Sequence, residues 1–238
     1  MIVGLLHPGE MGASVGRVLQ GNGHEVLWAS EGRSAATHER AQAFRDASSI
    51  RELVREVDVV FSVCPPHAAL DVARAVQGFD GIYVDGNAIS PMRAREVAAL
   101  HPRFVDGGIV GGPPDEPGTT LYLSGAEAAT IAALCSGSNL EPRVIVDASA
   151  VKMVYAAWSK GTAAMLLAIR EVAQRLGVEE EWRLATPELA EPLARAERAS
   201  ATKGWRWIGE MEEIAETFAA VGQPAGFHRA AAEVYRAS

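Results

Sequence analysis

Short apolar runs alternate with amphipathic segments over residues 1–148 of the chain. Seven runs have the length and the β-branched or apolar content of buried strands: Ile2–Leu6, Glu25–Ala29, Asp58–Val63, Gly81–Asp85, Arg103–Asp106, Thr119–Ser124 and Arg143–Val146. The segments between them have helical spacing, among them Ala13–Gln20, Ala35–Phe44 and Pro66–Val76. This alternation is typical of parallel βαβ units, so residues 1–148 are predicted to form an α/β domain.

The pattern changes after Asp147, where the strand-like runs end. A single helix is predicted from Ser149, its expected N-cap, to Leu176, with apolar residues on most of its faces. Further helices are expected within Pro187–Ser200, Trp205–Ala220 and Gly226–Arg236. Residues 149–238 are therefore predicted to form a small all-α domain. Because so few residues remain to cover the long helix, a second copy of the chain is expected to help, in a homodimer.

The first predicted strand runs into a glycine turn with the sequence His7-Pro8-Gly9-Glu10-Met11-Gly12. A glycine turn between a first strand and a helix lets backbone N–H groups and the helix dipole meet a pyrophosphate. Gly9 and Gly12 occupy the second and third glycine positions of the dinucleotide fingerprint, and His7 stands at the first. The turn predicts a Rossmann-like fold, with Gly9, Glu10, Met11 and Gly12 at the cofactor.

The end of the second strand indicates which cofactor is bound. Ser30, Arg33 and Ser34 offer hydroxyl groups and a cation to a 2′-phosphate, which favours NADPH/NADP. Glu31 argues against this preference, because a carboxylate that points at the ribose would favour NAD. The alternative interpretation is that Glu31 is a solvated charge in the loop.

The predicted strand Asp58–Val63 is followed by a turn with the sequence Cys64-Pro65-Pro66-His67. A dinucleotide crosses the carboxyl ends of the strands, so Cys64 and Pro65 are expected to border the nicotinamide half of the cofactor. His67 is either a ribose contact or a residue of the first helical turn, and the second interpretation is favoured.

Composition excludes several classes of function. A net charge of −8 argues against nucleic acid or an anionic membrane as the main partner. Two cysteines are too few for a disulfide framework, and no histidine pair has ligand spacing, so no metal is expected. With no signal-peptide pattern and no bilayer-spanning run, a cytoplasmic location is expected.

Four motifs together resemble the 6-phosphogluconate dehydrogenase and β-hydroxyacid dehydrogenase superfamily over essentially the whole chain. They are the Met11-Gly12 turn, Val84-Asp85-Gly86-Asn87, Gly108-Ile109-Val110-Gly111-Gly112, and Val151-Lys152-Met153-Val154 with Lys160-Gly161 after it. The sequence Arg206–Ala215 is similar to the subgroup with a short helical C-terminal domain. The resemblance implies a Rossmann-like domain joined by a long helix to a small all-α domain, and usually a dimer.

The resemblance also implies roles for particular residues. Lys152 would be the catalytic lysine, Asn87 would lie against nicotinamide and substrate, and Val110, Gly111 and Gly112 would line the substrate cleft. Phosphogluconate dehydrogenases have His, Asn, Glu and Tyr on the helix after the lysine. Tyr155, Ala156, Ser159 and Lys160 stand at those positions here, so the chain is not a decarboxylating phosphogluconate dehydrogenase.

The helix points to acid–base chemistry without the resemblance as well. Lys152, Ser159 and Lys160 share one stripe at helical spacing on a helix otherwise built for burial. A cation in such surroundings either serves a function or extends its ammonium to solvent. Lys152 is the favoured proton-transfer group, with Tyr155 and Lys160 as alternatives and Ser159 as a substrate contact. His228 is another possible acid, although a histidine on a helix face is the simpler interpretation.

The sequence favours hydride transfer between NADPH and a small carbonyl or hydroxy compound: a 2-keto acid, a β-hydroxy acid or an aldehyde. Imine reduction stays open, and so does an NADP(H)-binding sensor without turnover. Methyl transfer from S-adenosylmethionine is disfavoured, because Ser30 stands where an acid is normally needed.

Two groups of residues in the C-terminal part of the chain are expected to be structural. Trp182, Trp205, Trp207 and Phe227 are expected in core and dimer contacts. Glu210, Glu212 and Glu213 are expected on a solvated helix face, although the resemblance implies that one of them could be a cleft residue.

Overall fold

A computed structural model describes residues 1–237. The chain divides into two compact units, Met1–Lys152 and the residues from Met153 onward. The division falls inside a helix, shortly after the domain boundary at residue 148 that the sequence favours. No helix within residues 1–237 is both long enough and apolar enough to cross a bilayer.

The first unit contains one sheet of eight strands. They are β1 (Ile2–Leu6), β2 (Glu25–Trp28), β3 (Arg45–Asp46), β4 (Val59–Ser62), β5 (Ile82–Asp85), β6 (Phe104–Val110), β7 (Thr119–Ser124) and β8 (Leu140–Val144). Their order across the sheet is β3-β2-β1-β4-β5-β6-β7-β8. The first six strands have the order of the doubly wound dinucleotide-binding fold.

Helices connect the strands and cover both faces of the sheet. They are α1 (Glu10–Gly21), α2 (Ala35–Ala41), α3 (Ile50–Glu56), α4 (Ala69–Ala75), α5 (Pro91–Ala98) and α6 (Ala128–Cys135), with a 3₁₀ turn at Pro66–Ala68 before α4. One apolar cluster includes Leu19 of α1 and Ile131 of α6, and the other includes Leu53 of α3 and Val72 of α4. Strands β1, β4 and β5 contribute to both clusters, which explains why their sequences are continuous apolar runs.

The prediction of parallel βαβ units is wrong for the pair of strands β6 and β7. Strand β6 continues to Val110, four residues beyond its predicted end at Asp106, and β7 pairs with it antiparallel. Gly111 turns the chain at the end of β6 with φ +126°, and no helix follows before β7 begins at Thr119. A hairpin of this kind needs no crossover, which is why β7 runs back beside β6.

The predicted helix from Ser149 to Leu176 is continuous but not uniform. It consists of α7 (Ala148–Ala156), a π-helical turn (Ala157–Gly161) and α8 (Thr162–Leu176). Ser149 is not its N-cap: Asp147 caps the helix, because its Oδ1 accepts the Ala150 N–H at 2.7 Å.

Three more helices complete the second unit: α9 (Glu179–Ala185), α10 (Ala190–Ala220) and α11 (Gly226–Ala237), with a 3₁₀ turn at Pro187–Leu189. The two helices predicted between Pro187 and Ala220 are one, since α10 runs through Gly204. A Cβ at Gly204 would lie 3.0 Å from Ser200 Oγ and 3.7 Å from the Tyr235 ring. This glycine therefore allows α10 and α11 to pack closely and does not end a helix.

Part of the expected solvated acidic face is buried. Glu210 is 4% and Glu213 is 7% exposed, whereas Glu212 is exposed and pairs with Arg236. The prediction was wrong for Glu210 and Glu213, because both lie among the buried residues that α10 packs inside the second unit.

Candidate active site

The glycine turn after β1 leaves the start of α1 open. Gly9 N–H donates to His7 O at 2.7 Å, and the first helical bond runs from Ala13 N to Gly9 O at 2.8 Å. Among the described residues, no side chain caps this helix, and a Cβ at Gly9 would meet only His7 O, at 4.0 Å. A Cβ at Gly12 would come within 3.1 Å of the same oxygen, so a larger residue there would crowd the turn. The turn therefore fits a pyrophosphate held by backbone N–H groups.

The two residues between these glycines differ in exposure. Glu10 begins α1 and is exposed, with its carboxylate in the first helical turn. Met11 is partly buried and packs against the apolar cluster beneath α1. Met11 therefore anchors the turn to the core, which keeps its backbone in place.

Arg33 reaches from the loop after β2 toward the ends of β1 and β4. Its guanidinium acts electrostatically on His7 and on the Cys64 thiol. Burial lowers the pKa of Arg33 from its usual value, and its buried Nε has no hydrogen-bond partner among the described residues. A partly desolvated cation at this edge is suited to an anionic ligand.

The serines of this loop already have structural partners. Ser34 caps α2, where its Oγ accepts the Thr37 N–H at 3.3 Å. The Ser30 N–H donates to Asp46 Oδ1 at 3.3 Å. Burial opposes ionisation of Asp46, but hydrogen bonds from Ser30 and Ser48 outweigh it and lower the pKa of that carboxyl. Sequence reasoning missed Asp46, because it ends a two-residue strand that has no hydrophobic pattern.

Asn87 ties together the carboxyl ends of β4 and β5. It is 2% exposed, and its Nδ2 donates to Ser62 Oγ at 3.1 Å and to Asp85 Oδ2 at 3.0 Å. Its Oδ1 accepts the Cys64 N–H at 2.5 Å, which fixes the turn that Pro65 continues. Asn87 therefore shapes the strand ends at which its contact with nicotinamide and substrate is expected.

The Cys64–His67 turn also contains a buried thiol and an exposed imidazole. Burial raises the pKa of the Cys64 thiol to about 12, so the group is a neutral thiol at physiological pH. His67 is exposed within the 3₁₀ turn, as the structural interpretation of its position anticipates.

Lys152 lies on α7 against the end of β6. Its Nζ donates to the backbone O of Ile109 at 2.8 Å. A Cβ at Gly108 would lie 3.1 Å from Lys152 Cβ and 2.6 Å from Ala148 O. The glycine is required because it lets α7 approach the strand closely enough for this hydrogen bond.

The start of α7 is held by Asp106, a buried acid that sequence reasoning missed. Its Oδ2 accepts the Ser149 N–H at 2.8 Å and the Ser124 hydroxyl at 3.1 Å, and its Oδ1 accepts the Ser149 hydroxyl. Burial raises the pKa of Asp106, although these hydrogen bonds oppose the rise. An acidic residue inside the apolar run Phe104–Val110 is the sequence signal that would have identified it.

The loop after β6 contains the remaining candidate residues of the first unit. Val110 is partly exposed at the strand end, and Gly111 and Gly112 are exposed. A Cβ at Gly111 would lie 2.6 Å from Thr119 Oγ1, and Thr119 Oγ1 donates to Gly112 O at 2.6 Å. The two glycines therefore form a fixed turn with open space beside Gly112.

In the second unit, Tyr155 lies near the end of α7 and Lys160 lies within the π-helical turn. Tyr155 is exposed, and its backbone O accepts the Ser159 hydroxyl at 3.0 Å. The ammonium of Lys160 forms an ion pair with the buried Glu210 and lies 5.8 Å from the centre of the Trp207 ring.

His228 is also buried in the second unit. Its ring packs against Phe218 with the centroids 4.4 Å apart, and burial lowers its pKa. Across residues 1–237, no group of three or more His, Cys, Asp or Glu side chains is placed to hold a metal ion.

The fold and the open glycine turn define a dinucleotide-binding protein. Residues 2–138 match the family described as the NAD binding domain of 6-phosphogluconate dehydrogenase, and residues 173–238 match a domain of unknown function. The chain therefore belongs to the 6-phosphogluconate dehydrogenase-type NAD-binding family, and it is an NAD(P)-dependent oxidoreductase.

Similar proteins include dehydrogenases and uncharacterised chains. The chain is 25% identical to mitochondrial 3-hydroxyisobutyrate dehydrogenase of Drosophila melanogaster, over 88% of this chain and 66% of the enzyme. An uncharacterised 28.5 kDa protein of Methanothermus fervidus is 27% identical, over 76% of this chain and 74% of that protein.

Solved structures show the same fold. A conserved protein of unknown function, described as structurally similar to 3-hydroxyacid dehydrogenases, has a TM-score of 0.70 and 30% identity, over 100% of this chain and 98% of that one. The reductive aminase of Aspergillus terreus, solved with NADPH and ethyl levulinate, has a TM-score of 0.63 and 16% identity, over 99% of this chain and 92% of the aminase.

Proposed function

We propose that this chain is an NADPH-dependent dehydrogenase or reductase acting on a small carbonyl or hydroxy compound. A 2-keto acid, a β-hydroxy acid or an aldehyde fits the proposal. The observation that carries it is the placement of Lys152, whose Nζ is held 2.8 Å from Ile109 O on a helix start fixed by Asp106. A proton donor held in one position by the strand below it is what general acid–base catalysis requires.

In this proposal, the chain contributes orientation and a proton. Nicotinamide supplies the hydride when the cofactor is bound. The N–H groups at the start of α1 hold the pyrophosphate, and Asn87 fixes the turn beside the nicotinamide. Lys152 gives the proton at Nζ to the substrate oxygen in reduction and removes it in oxidation, while Ile109 O keeps the ammonium oriented.

Replacing Lys152 tests the chemical step. We expect Lys152→Ala to bind cofactor almost normally and to lose about a hundredfold or more in the rate of hydride transfer, the usual contribution of a general acid–base group. Lys152→Arg should restore little, because a guanidinium does not release its proton near neutral pH. Lys203→Ala, at an exposed position of α10, is the matched control. Single-turnover oxidation of NADPH measures the rate.

A near-normal rate in Lys152→Ala would move the role to Tyr155 first and then to Lys160 or His228. Binding of NADPH by the unmodified chain without turnover of any carbonyl or imine substrate would instead favour a cofactor-binding sensor.

The preference for NADPH is tested separately at Arg33. We expect Arg33→Ala to weaken NADPH binding by roughly 1.5–3 kcal/mol, the value of a charge-assisted hydrogen bond, and to change NADH binding little. Arg40→Ala, an exposed arginine on the next helix, is the matched control. Calorimetric titration with both cofactors gives the affinities. Equal affinity of the unmodified chain for NADPH and NADH would refute the preference.

Reduction of a C=N bond is the second candidate. It is favoured by Val110, a partly exposed apolar residue next to Ile109 at the position where the related sugar-acid enzymes have serine. An apolar wall beside the proton donor suits an imine better than a polyhydroxy acid. The comparison to make is NADPH oxidation with a cyclic imine and with the matched ketone.

A further inference from the structure

His7 has a backbone conformation that is unusual for its residue type. Its φ is +64°, and within residues 1–237 only Ser48 shares a positive φ among the residues other than glycine. The left-handed region is unfavourable for a residue with a Cβ, and this position of the fingerprint normally has glycine. Strain of this kind is often found at functional sites, where a role of the side chain offsets its cost.

The imidazole of His7 has unused hydrogen-bonding capacity. Its Nδ1 is buried and has no partner among the described residues. Burial and the nearby Arg33 guanidinium lower the pKa of His7 to about 4, so the ring is neutral at physiological pH. A neutral imidazole has one N–H to donate and one nitrogen to accept. Arg33 acts electrostatically on His7, and its buried Nε has no partner among the described residues either, so both groups have capacity for a ligand.

The register of the sheet places these two groups at the adenosine end of a dinucleotide. Leu5 of β1 and Trp28 of β2 are partners in the parallel ladder. His7 and Ser30 each follow two residues later, so His7 stands beside the turn that carries Arg33. The adenosine ribose of a bound dinucleotide lies at the end of β2 in this fold.

Two acidic residues near Arg33 make a second hydrogen-bond donor to a phosphate useful. Asp46 accepts the Ser30 N–H, and Glu31 is exposed on the same turn. Both carboxylates would repel a phosphate on the ribose, and Arg33 supplies one positive charge against them.

We propose that His7 and Arg33 together recognise the 2′-phosphate of a phosphorylated adenosine, which makes His7 a specificity-determining residue for NADPH. The guanidinium pairs with the phosphate, and the imidazole donates its N–H to a phosphate oxygen. This inference rests on the proposed preference for NADPH and assigns part of it to a residue that replaces a glycine.

The test is calorimetric titration of the full chain with adenosine 2′,5′-bisphosphate and with adenosine 5′-monophosphate. We expect His7→Gly to weaken the bisphosphate about tenfold, the effect of one charge-assisted hydrogen bond, and the monophosphate less than twofold. Asparagine tolerates the left-handed conformation and keeps a hydrogen-bond donor. The bisphosphate affinity of His7→Asn should therefore lie between those of His7→Gly and the unmodified chain. In His7→Gly combined with Arg33→Ala, the two losses should not add, since both groups hold one phosphate.

A urea unfolding curve without ligand separates binding from folding. His7→Gly should be at least as stable as the unmodified chain, because glycine removes the backbone strain and the buried unpartnered nitrogen.

Three outcomes would overturn the inference. A chain that prefers NADPH, with unchanged bisphosphate affinity in both His7 variants, refutes the role of His7 and leaves the cofactor preference intact. Equal losses for both nucleotides place His7 at a part they share and refute its role in specificity. Equal affinity of the unmodified chain for both nucleotides overturns the inference and the proposed preference together.

Discussion

At the residue scale, folding changes the protonation of His7. A histidine in water has a pKa of 6.5, and in the folded chain burial and Arg33 lower the pKa of His7 to about 4. The unfolded chain therefore takes up a proton between these values and the folded chain does not. Acidification from pH 6.5 toward pH 4 consequently favours unfolding, and the effect is absent above pH 7.

His7→Gly removes this titration and provides the measurement. Relative to the variant, the unmodified chain should lose about 1–2 kcal/mol of unfolding free energy between pH 7 and pH 4.5, after discounting for partial exposure of the ring. The other buried histidines are present in both proteins, so their contributions cancel. Urea unfolding at the two pH values gives the difference. Curves that shift by the same amount in both proteins would show that Arg33 and burial do not hold His7 neutral.

Single residues also show what the sequence reveals about the site. The glycine turn could be predicted, because its spacing after an apolar strand reflects the geometry that a pyrophosphate needs. The partners of Asp106 and Asp46 could not, since they lie far away in the sequence, as Ser149 does from Asp106. For the same reason, the sequence did not show that the hydroxyl of Ser34 caps a helix.

At the scale of elements, the position of Lys152 depends on how α7 begins. Asp106 accepts three hydrogen bonds from Ser149 and Ser124 and so fixes the first turn of α7 against β6 and β7. Deletion of one of these bonds should loosen the turn that carries the lysine.

Ser149→Ala should lower the unfolding free energy by about 1–3 kcal/mol, because a buried carboxylate oxygen loses a donor. We also expect a lower hydride-transfer rate, with little change in cofactor affinity, since the cofactor turn belongs to α1. Ser136→Ala, which removes an exposed hydroxyl bonded to its own helix, is the control and should change stability by less than about 0.5 kcal/mol. Equal stability of the two variants would argue against the role assigned to Asp106.

The sequence predicted helices and strands correctly where their hydrophobic pattern was long. It predicted them wrongly where packing against other elements determined the structure. The bounds of β1 and β7 agree with the sequence, since both are apolar runs closed by turn residues. Strand β3 was missed because two residues have no period, and the direction of β7 was wrong because a hairpin and a crossover leave similar apolar runs. Gly204 suggests a break in α10 and instead allows close packing against Tyr235.

At the scale of the whole molecule, an exposed apolar stripe follows the helix from α7 to α8. Its members are Val154, Trp158, Met165, Ile169, Val172 and Leu176, and Trp158 is 71% exposed. The spacing of Met165, Ile169, Val172 and Leu176 keeps these four on one side of α8. An exposed apolar stripe on a single chain is typical of an interface, which supports the homodimer predicted from the sequence.

We expect the unmodified chain to sediment as a dimer and Val172→Glu to sediment as a monomer at micromolar concentration, because a carboxylate is costly to bury in an apolar interface. Leu184→Glu changes a more exposed apolar residue outside the stripe and should stay dimeric. Sedimentation equilibrium distinguishes the two masses. A monomeric unmodified chain would refute the dimer.

The π-helical turn at Ala157–Gly161 has a consequence for the length of the chain. A π turn holds one more residue than the α turn it replaces, so it accommodates an insertion without rotating the helix on either side. Removing one residue, as in a deletion of Ser159, should therefore restore a regular helix and leave the apolar stripe of α8 facing the same way. A single-residue deletion two turns later would rotate the rest of the stripe by about 100°. Gaps of one residue should consequently be tolerated at this turn and rejected elsewhere along the helix.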